Sequence, residues 1–292
     1  MKFTEEHLKN LLEINMDGGL SDIGKLIGNK NTLFLSRYSA SELYGLLEQT
    51  GIVKHLEKLG FRDLNVFTDT DGAQVNYLKL YSGPHRPDNM LMDLRVTETR
   101  FMPKKEFFPS GAFLPTYDMV VIEWLSLQNA KKEFDAQRPQ LPGQTKPGLG
   151  LLNHCLNLMF TVARQISKDG FLDIPEHIHA AIMYSKKFKF FDPANEAFVR
   201  AILRDLKKYS MSDISWGVIT NTIINEATGK PEKYVPSEQI YSASERMKSY
   251  FNSELYKNTF AKAYKSKKYS FDYKTMEKLR KDILKTKIIS DL

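Results

Sequence analysis

Cysteine is almost missing from this 292-residue chain, which has only Cys155. A disulfide framework within the chain is excluded, which suits a reducing cytoplasm. Cys155 falls among leucines on the apolar side of an expected helix, where a thiol behaves as a small hydrophobe and not as a nucleophile. Long apolar runs are lacking as well: no stretch approaches the ~18 uninterrupted apolar residues that span a bilayer. The opening MKFTEEHLKNLLEINM is amphipathic but carries acids, and so reads as neither a signal nor a transit peptide. There is no internal repeat and no low-complexity tract. With 42% hydrophobic and 26% charged residues, the expectation is a soluble, cytoplasmic globular protein.

Negative charge is scarce at one end. From Arg246 to Leu292 thirteen Lys/Arg stand against five Asp/Glu, a local charge of +8, so residues 1–245 carry −1 of the total of +7. Such a tail could serve nucleic acid, but its interleaved Tyr250, Phe251, Tyr256, Phe260, Tyr264 and Tyr269 favour helices that pack their aromatics inward and leave lysines in water.

What is present centres on Gln140–Lys187. A loop rich in glycine and proline, Pro142 to Gly150, runs into Leu149, Leu152, Leu156, Met159, Val162, Ala163 and Ile166, whose spacing marks an amphipathic helix of about five turns. A helix opening directly from a glycine loop presents unpaired N–H groups and a positive dipole end to an anion, commonly a phosphate. Lys146 is the loop's cation, and Arg138 upstream has the geometry for a bidentate phosphate contact. The helix stops at Lys168-Asp169-Gly170. Phe171–Ile174 then reads as a strand and His177–Lys187 as a second helix. Before the loop, Tyr117–Leu125 is a β-branched apolar run suited to a sheet centre.

This order of strand, loop, helix, strand and helix resembles the acyl-CoA-binding core of the GNAT superfamily of N-acetyltransferases. The family's Gln/Arg-x-x-Gly-x-Gly/Ala loop is matched by Gly148-Leu149-Gly150, with Gln144 one residue too far upstream. Its Asn-x-x-Ala-x-x-x-Tyr pattern is matched by His177 to Tyr184, with Ala180 and Tyr184 in register and His in place of Asn. The glycine-phenylalanine that usually follows is replaced by Phe188-Lys189-Phe190-Phe191. The resemblance covers roughly Tyr117 to Asp192. It implies an α+β fold with a mixed, mostly antiparallel sheet flanked by helices, acetyl-CoA or another acyl-CoA as substrate, and an amine acceptor that the sequence leaves open. It implies coenzyme binding by Leu125, Arg138, Gln144, Lys146, Gly148, Leu149, Gly150 and Leu151, with the pyrophosphate at the amides of Gly148 to Leu151, and a thiolate-protonating role for Tyr184.

The rest of the chain fits that frame. Residues 1–30 are expected as an N-terminal helical segment with a helix over Glu5–Ile14, residues 31–194 as the acyl-CoA-binding domain that the resemblance implies, and residues 195–292 as a helical, basic extension. Thr32–Ser36 is expected as a strand, Ser39 and Glu42 as a capping signal before two helices parted by Gly51, and Asp63–Val66, Ala73–Tyr81 and Met90–Phe101 as strands. Amine acylation needs a base for the acceptor, and Glu123, the one acid inside an apolar strand, is the candidate if burial raises its pKa. Two rivals stand beside the acyltransferase. One is a binding protein that keeps the fold without the reaction. The other is a metal-dependent hydrolase using His177 and His179 with Asp173 or His85.

Overall fold

The computed structural model describes residues 33–71, 74–135 and 139–286. The helix expected over Glu5–Ile14 and the candidate Arg138 lie outside them. The first expected strand is instead a tight turn: Leu35 and Ser36 both take φ 53°, and Phe34 and Tyr38 bridge across them. Phe34 and Leu35 are buried, and the Leu35 amide goes to the Asn76 side chain at 2.7 Å in place of a strand ladder.

Helix α1 (Ala40–Gln49) starts at a capping box, in which the Ser39 hydroxyl accepts from the Glu42 amide and the Glu42 carboxylate accepts from the Ser39 N–H. Gly51, at φ 82°, turns the chain into α2 (Ile52–Lys58). Strands β1 (Leu64–Thr70), β2 (Asn76–Ser82), β3 (Met90–Phe101) and β4 (Tyr117–Leu127) follow as an antiparallel meander. After the glycine loop, α3 (Leu152–Gln165) crosses over to β5 (Gly170–Asp173), which lies parallel to β4, a pairing that only such a crossover permits.

The remaining elements are α4 (Ile178–Tyr184), β6 (Lys189–Phe190), α5 (Pro193–Asp205), α6 (Met211–Ile219), β7 (Ile223–Asn225), β8 (Lys230–Pro231), β9 (Gln239–Ser242), α7 (Glu245–Asn252), α8 (Glu254–Ser266), β10 (Tyr269–Phe271) and α9 (Tyr273–Thr286). Seven strands form one sheet in the order β1-β2-β3-β4-β5-β9-β6, and β10-β7-β8 form a small second sheet. The fold is thus mixed α+β, a mostly antiparallel sheet flanked by helices. One of its central strands, β9, comes from beyond residue 195 and sits between β5 and β6, so the seven-stranded sheet draws on both sides of the boundary expected at 194/195.

At its centre the sheet is covered on both faces. Val120, Ile122 and Phe171 pack with α1, α2 and α3, whereas Met119 and Leu172 pack with Phe191, Met247 and Tyr250. Two-sided burial is why these strands read as continuous apolar runs. A third cluster joins α4, α5, α6 and the small sheet through Ile178, Phe198, Ile202, Ile214 and Val218. In the basic tail Tyr250, Phe251, Tyr256 and Tyr269 are buried, and the Tyr250 and Tyr256 hydroxyls donate to the carbonyls of Phe191 and Phe190 at 2.7 and 2.8 Å. Among the described residues no helix is long and apolar enough to cross a membrane.

Candidate functional site

The β4–β5 ladder runs only from Met119↔Gly170 to Ile122↔Asp173. β5 ends there, but β4 continues for five residues and next meets the loop, where Gln128 bridges Gly148 and the Leu149 amide donates to Leu127 O at 3.2 Å. Between Ile122 and Leu127 this edge of β4 therefore has no strand partner among the described residues. Glu123 lies at its start. Arg95 pairs with Trp124 and Val96 with Ile122, so Glu123 is the extra residue of a bulge, a device that re-aims side chains and breaks pairing. The expected burial of Glu123 is not found: its carboxylate is exposed and accepts from the Thr97 hydroxyl at 2.6 Å.

The loop lies at the far end of this unpaired edge. Leu149 and Leu151 are 1% exposed and anchor it in the core, and Leu125 packs on the same cluster. His55 Nε2–H donates to Leu149 O at 3.0 Å, and His154 Nδ1–H donates to Thr50 O at 2.8 Å. A carbonyl only accepts, so both tautomers are fixed. Gly150, at φ 72° and exposed, leads into α3. The N-cap, Leu151, gives no side-chain cap, and the first helical bond is Cys155 N–H to Leu151 O at 2.9 Å. The amides of Leu152, Asn153 and His154 thus lack intrahelical acceptors. The Leu149 amide, one of the expected phosphate donors, is already used.

The front of the loop is drawn elsewhere. Gln140 O accepts from the Trp216 indole at 2.9 Å, and Gln140 Nε2 donates to Gln144 O at 2.8 Å. Gly143, at φ 74°, lies against His177, where a Cβ would stand 2.5 Å from Nε2. Gln144 is thus tied into a turn that leans on α6 and His177. Lys146 pairs with exposed Glu133 at 2.6 Å.

The strongest electrostatic feature is Asp173 at the tip of β5. Burial pushes its carboxyl up to about 7, the Ile174 amide opposes this, and Glu176 and Glu123 raise it further. Tyr184 is buried behind it and packs on Phe188 at 5.2 Å. Burial, then Asp173, raise its phenol well above the usual value, so the hydroxyl keeps its proton. Among the described residues no hydrogen-bond partner meets that hydroxyl.

His177 and His179 flank the start of α4, a helix that is shorter than the expected 177–187. Their rings stack at 5.2 Å, and His179 Nδ1 shares a hydrogen bond with the Ser215 hydroxyl at 3.0 Å. Burial, then His177, lower the His179 pKa to about 3, and burial also lowers that of His177. His85 instead stacks on Tyr81. Among the described residues no three His, Cys, Asp or Glu side chains are grouped to hold a metal ion. Beside His177 opens a cavity of about 300 Å³, walled by Ile178, by Val218 and Ile219 of α6, and by Tyr234.

The structure thus brings Glu123 and Tyr184 within electrostatic reach of Asp173 and sets the glycine loop at the far end of the unpaired β4 edge. The raised pKa of Asp173 and the α6 wall escape a sequence reading. An acid closing a short apolar strand is a visible signal for the first, and nothing signals the second. Comparisons with protein-family models, with curated proteins and with solved structures returned no match.

Proposed function

We propose that the protein is an acyl-CoA-dependent N-acyltransferase of GNAT type. The observation that carries this is the parallel β4–β5 pair that ends at Ile122 and Asp173 while β4 runs on, without a strand partner on that side, to meet the glycine loop before α3. A strand edge released from pairing offers backbone N–H groups to a thioester carbonyl. The adjoining amides of Gly150 to His154 suit a pyrophosphate.

Two protons leave the acceptor nitrogen in this reaction. The first passes from the ammonium to Asp173, whose pKa of about 7 suits a base at working pH. The free amine then attacks the carbonyl, the C–N bond forms and the C–S bond breaks. The second proton reaches the departing sulfur through Tyr184. Coenzyme A release from acyl-CoA, screened over amines, tests this. kcat/KM should rise with pH through about 7, because Asp173 must be ionised to accept a proton. Tyr184→Phe should lower turnover by roughly 10²–10⁴-fold and leave acyl-CoA affinity unchanged. Release that occurs with no amine in the panel would replace this reading with its rival.

That rival, a protein that keeps the fold to bind without reacting, is favoured by the engagement of the Leu149 amide with Leu127 and of Lys146 with Glu133.

A further inference from the structure

The cavity of about 300 Å³ beside His177 belongs to no part of the acyl-CoA path described above. One wall is Ile178, at the start of α4. The opposite wall is Val218 and Ile219, with the Tyr234 ring closing the side. This volume lies at the lower bound of small-molecule pockets, room for a single ring or a short chain.

Four polar groups reach the lining, and two are already satisfied. The Ser215 hydroxyl is bonded to His179, and the Tyr234 hydroxyl donates to Pro175 O at 2.7 Å. The other two are the Glu176 carboxylate, which has no ion pair among the described residues, and the His177 imidazole, which has no hydrogen bond among them. A carboxylate accepts only, and a neutral imidazole keeps one accepting nitrogen. Asp173, three residues from Glu176, adds a carboxyl within electrostatic reach. The carboxylate and one imidazole nitrogen thus both lack a donor, which an ammonium supplies, whereas an anion would meet Glu176.

We propose that this cavity is the acceptor site and takes a primary ammonium carried on a short apolar stem, with the nitrogen at Glu176 and His177 and the stem between Ile178, Val218, Ile219 and Tyr234. The assignment to an acceptor rests on the acyltransferase reading, whereas binding of the amine does not. The nitrogen then lies at Glu176, within electrostatic reach of Asp173 at the end of β5. A free amine and a lysine side chain both present this chemistry.

Calorimetry on the full chain, without coenzyme, tests it with phenethylamine, phenethyl alcohol, phenylacetate and N-acetyl-lysine methylamide. Phenethylamine or the capped lysine should bind saturably, and whichever of the two binds tighter identifies the source. Phenylacetate and the alcohol should bind at least tenfold more weakly. Glu176→Gln, at an exposed position that leaves the core intact, should weaken the amine about tenfold. Ile219→Trp should fill the cavity and remove binding while acyl-CoA titrates as in the parent. The proposal fails if neither amine binds, if phenylacetate binds equally well, or if both variants bind the amine like the parent. Amine binding without any acyl transfer would leave the cavity assigned and remove the acyltransferase. Transfer to an amine that ignores Ile219→Trp and Glu176→Gln would do the reverse.

Discussion

Asp173 is placed against its own stability. Its folded pKa is raised to about 7 from an ordinary 3.8, so the folded chain holds the proton more tightly than the unfolded chain does. Below pH ~3.8 both forms are protonated and nothing is lost. As pH rises from there to about 7 the unfolded state ionises first, and the fold loses stability across that window. Asp173→Asn should therefore stabilise the protein by on the order of 2–4 kcal/mol above pH 7 and by almost nothing at pH 4, while turnover collapses. Urea unfolding at the two pH values checks this, and equal effects at both would refute the raised pKa. His179 adds a contribution of the opposite kind. Its pKa is depressed to about 3, so its share of stability is present above pH ~6.5 and is lost as pH falls from there toward 3.

At the scale of elements, β5 shows what a four-residue strand costs in side-chain freedom. Gly170 reads in the sequence as a helix stop, yet its φ is not positive. It is glycine because a Cβ there would overlap the Tyr241 carbonyl of β9 and crowd Met119 on β4. That obstacle is backbone and does not yield, so Gly170→Ala should destabilise by roughly 2–4 kcal/mol in thermal or urea unfolding. Gly143→Ala would be read differently. The atom in its way is the His177 ring, which is able to rotate, and the φ of 74° adds strain. This variant should remain folded, and amine binding should fall more than acyl-CoA binding.

Across the whole molecule, the basic tail is a structural lid on the far face of the sheet. Tyr250 stacks on Phe191 at 4.0 Å, 3° from parallel, and Asp169 ties the tail to the α3–β5 corner. The Asp169 carboxylate accepts from the Arg246 guanidinium, from the Ser244 hydroxyl at 2.6 Å and from the Asp118 amide at 2.7 Å. Burial would raise its pKa, but these donors hold it below the usual range. Tyr250→Ala should cost roughly 3–5 kcal/mol, the usual price of emptying a buried aromatic site. Truncation after Ser244 should leave an insoluble chain. The lysines that remain in water, such as Lys257, Lys262 and Lys278, should give no DNA or RNA binding that falls steeply with salt.

The sequence by itself determined the local elements. Periodicity placed α1, α2, β1 to β5 and α3 to within a few residues, because amphipathic spacing, the Ser39 cap and the glycine breaks are contiguous signals. Tertiary structure decided what those signals do not encode. Thr32–Ser36 looked like a strand by composition, but its described part turns at Leu35 and Ser36 and is in no ladder with the described strands. Glu123 sits in an apolar run, yet a bulge and the early end of β5 leave it in solvent. Asp173, an ordinary acid in the sequence, is pushed up to about 7 by its burial in the folded chain, with Glu176 and Glu123 adding to the rise. The cavity is made by α4, α6 and Tyr234, which lie up to about sixty residues apart. The placement of β9 between β5 and β6 likewise depends on pairing partners far along the chain, and long-range pairing is set by packing and not by local pattern.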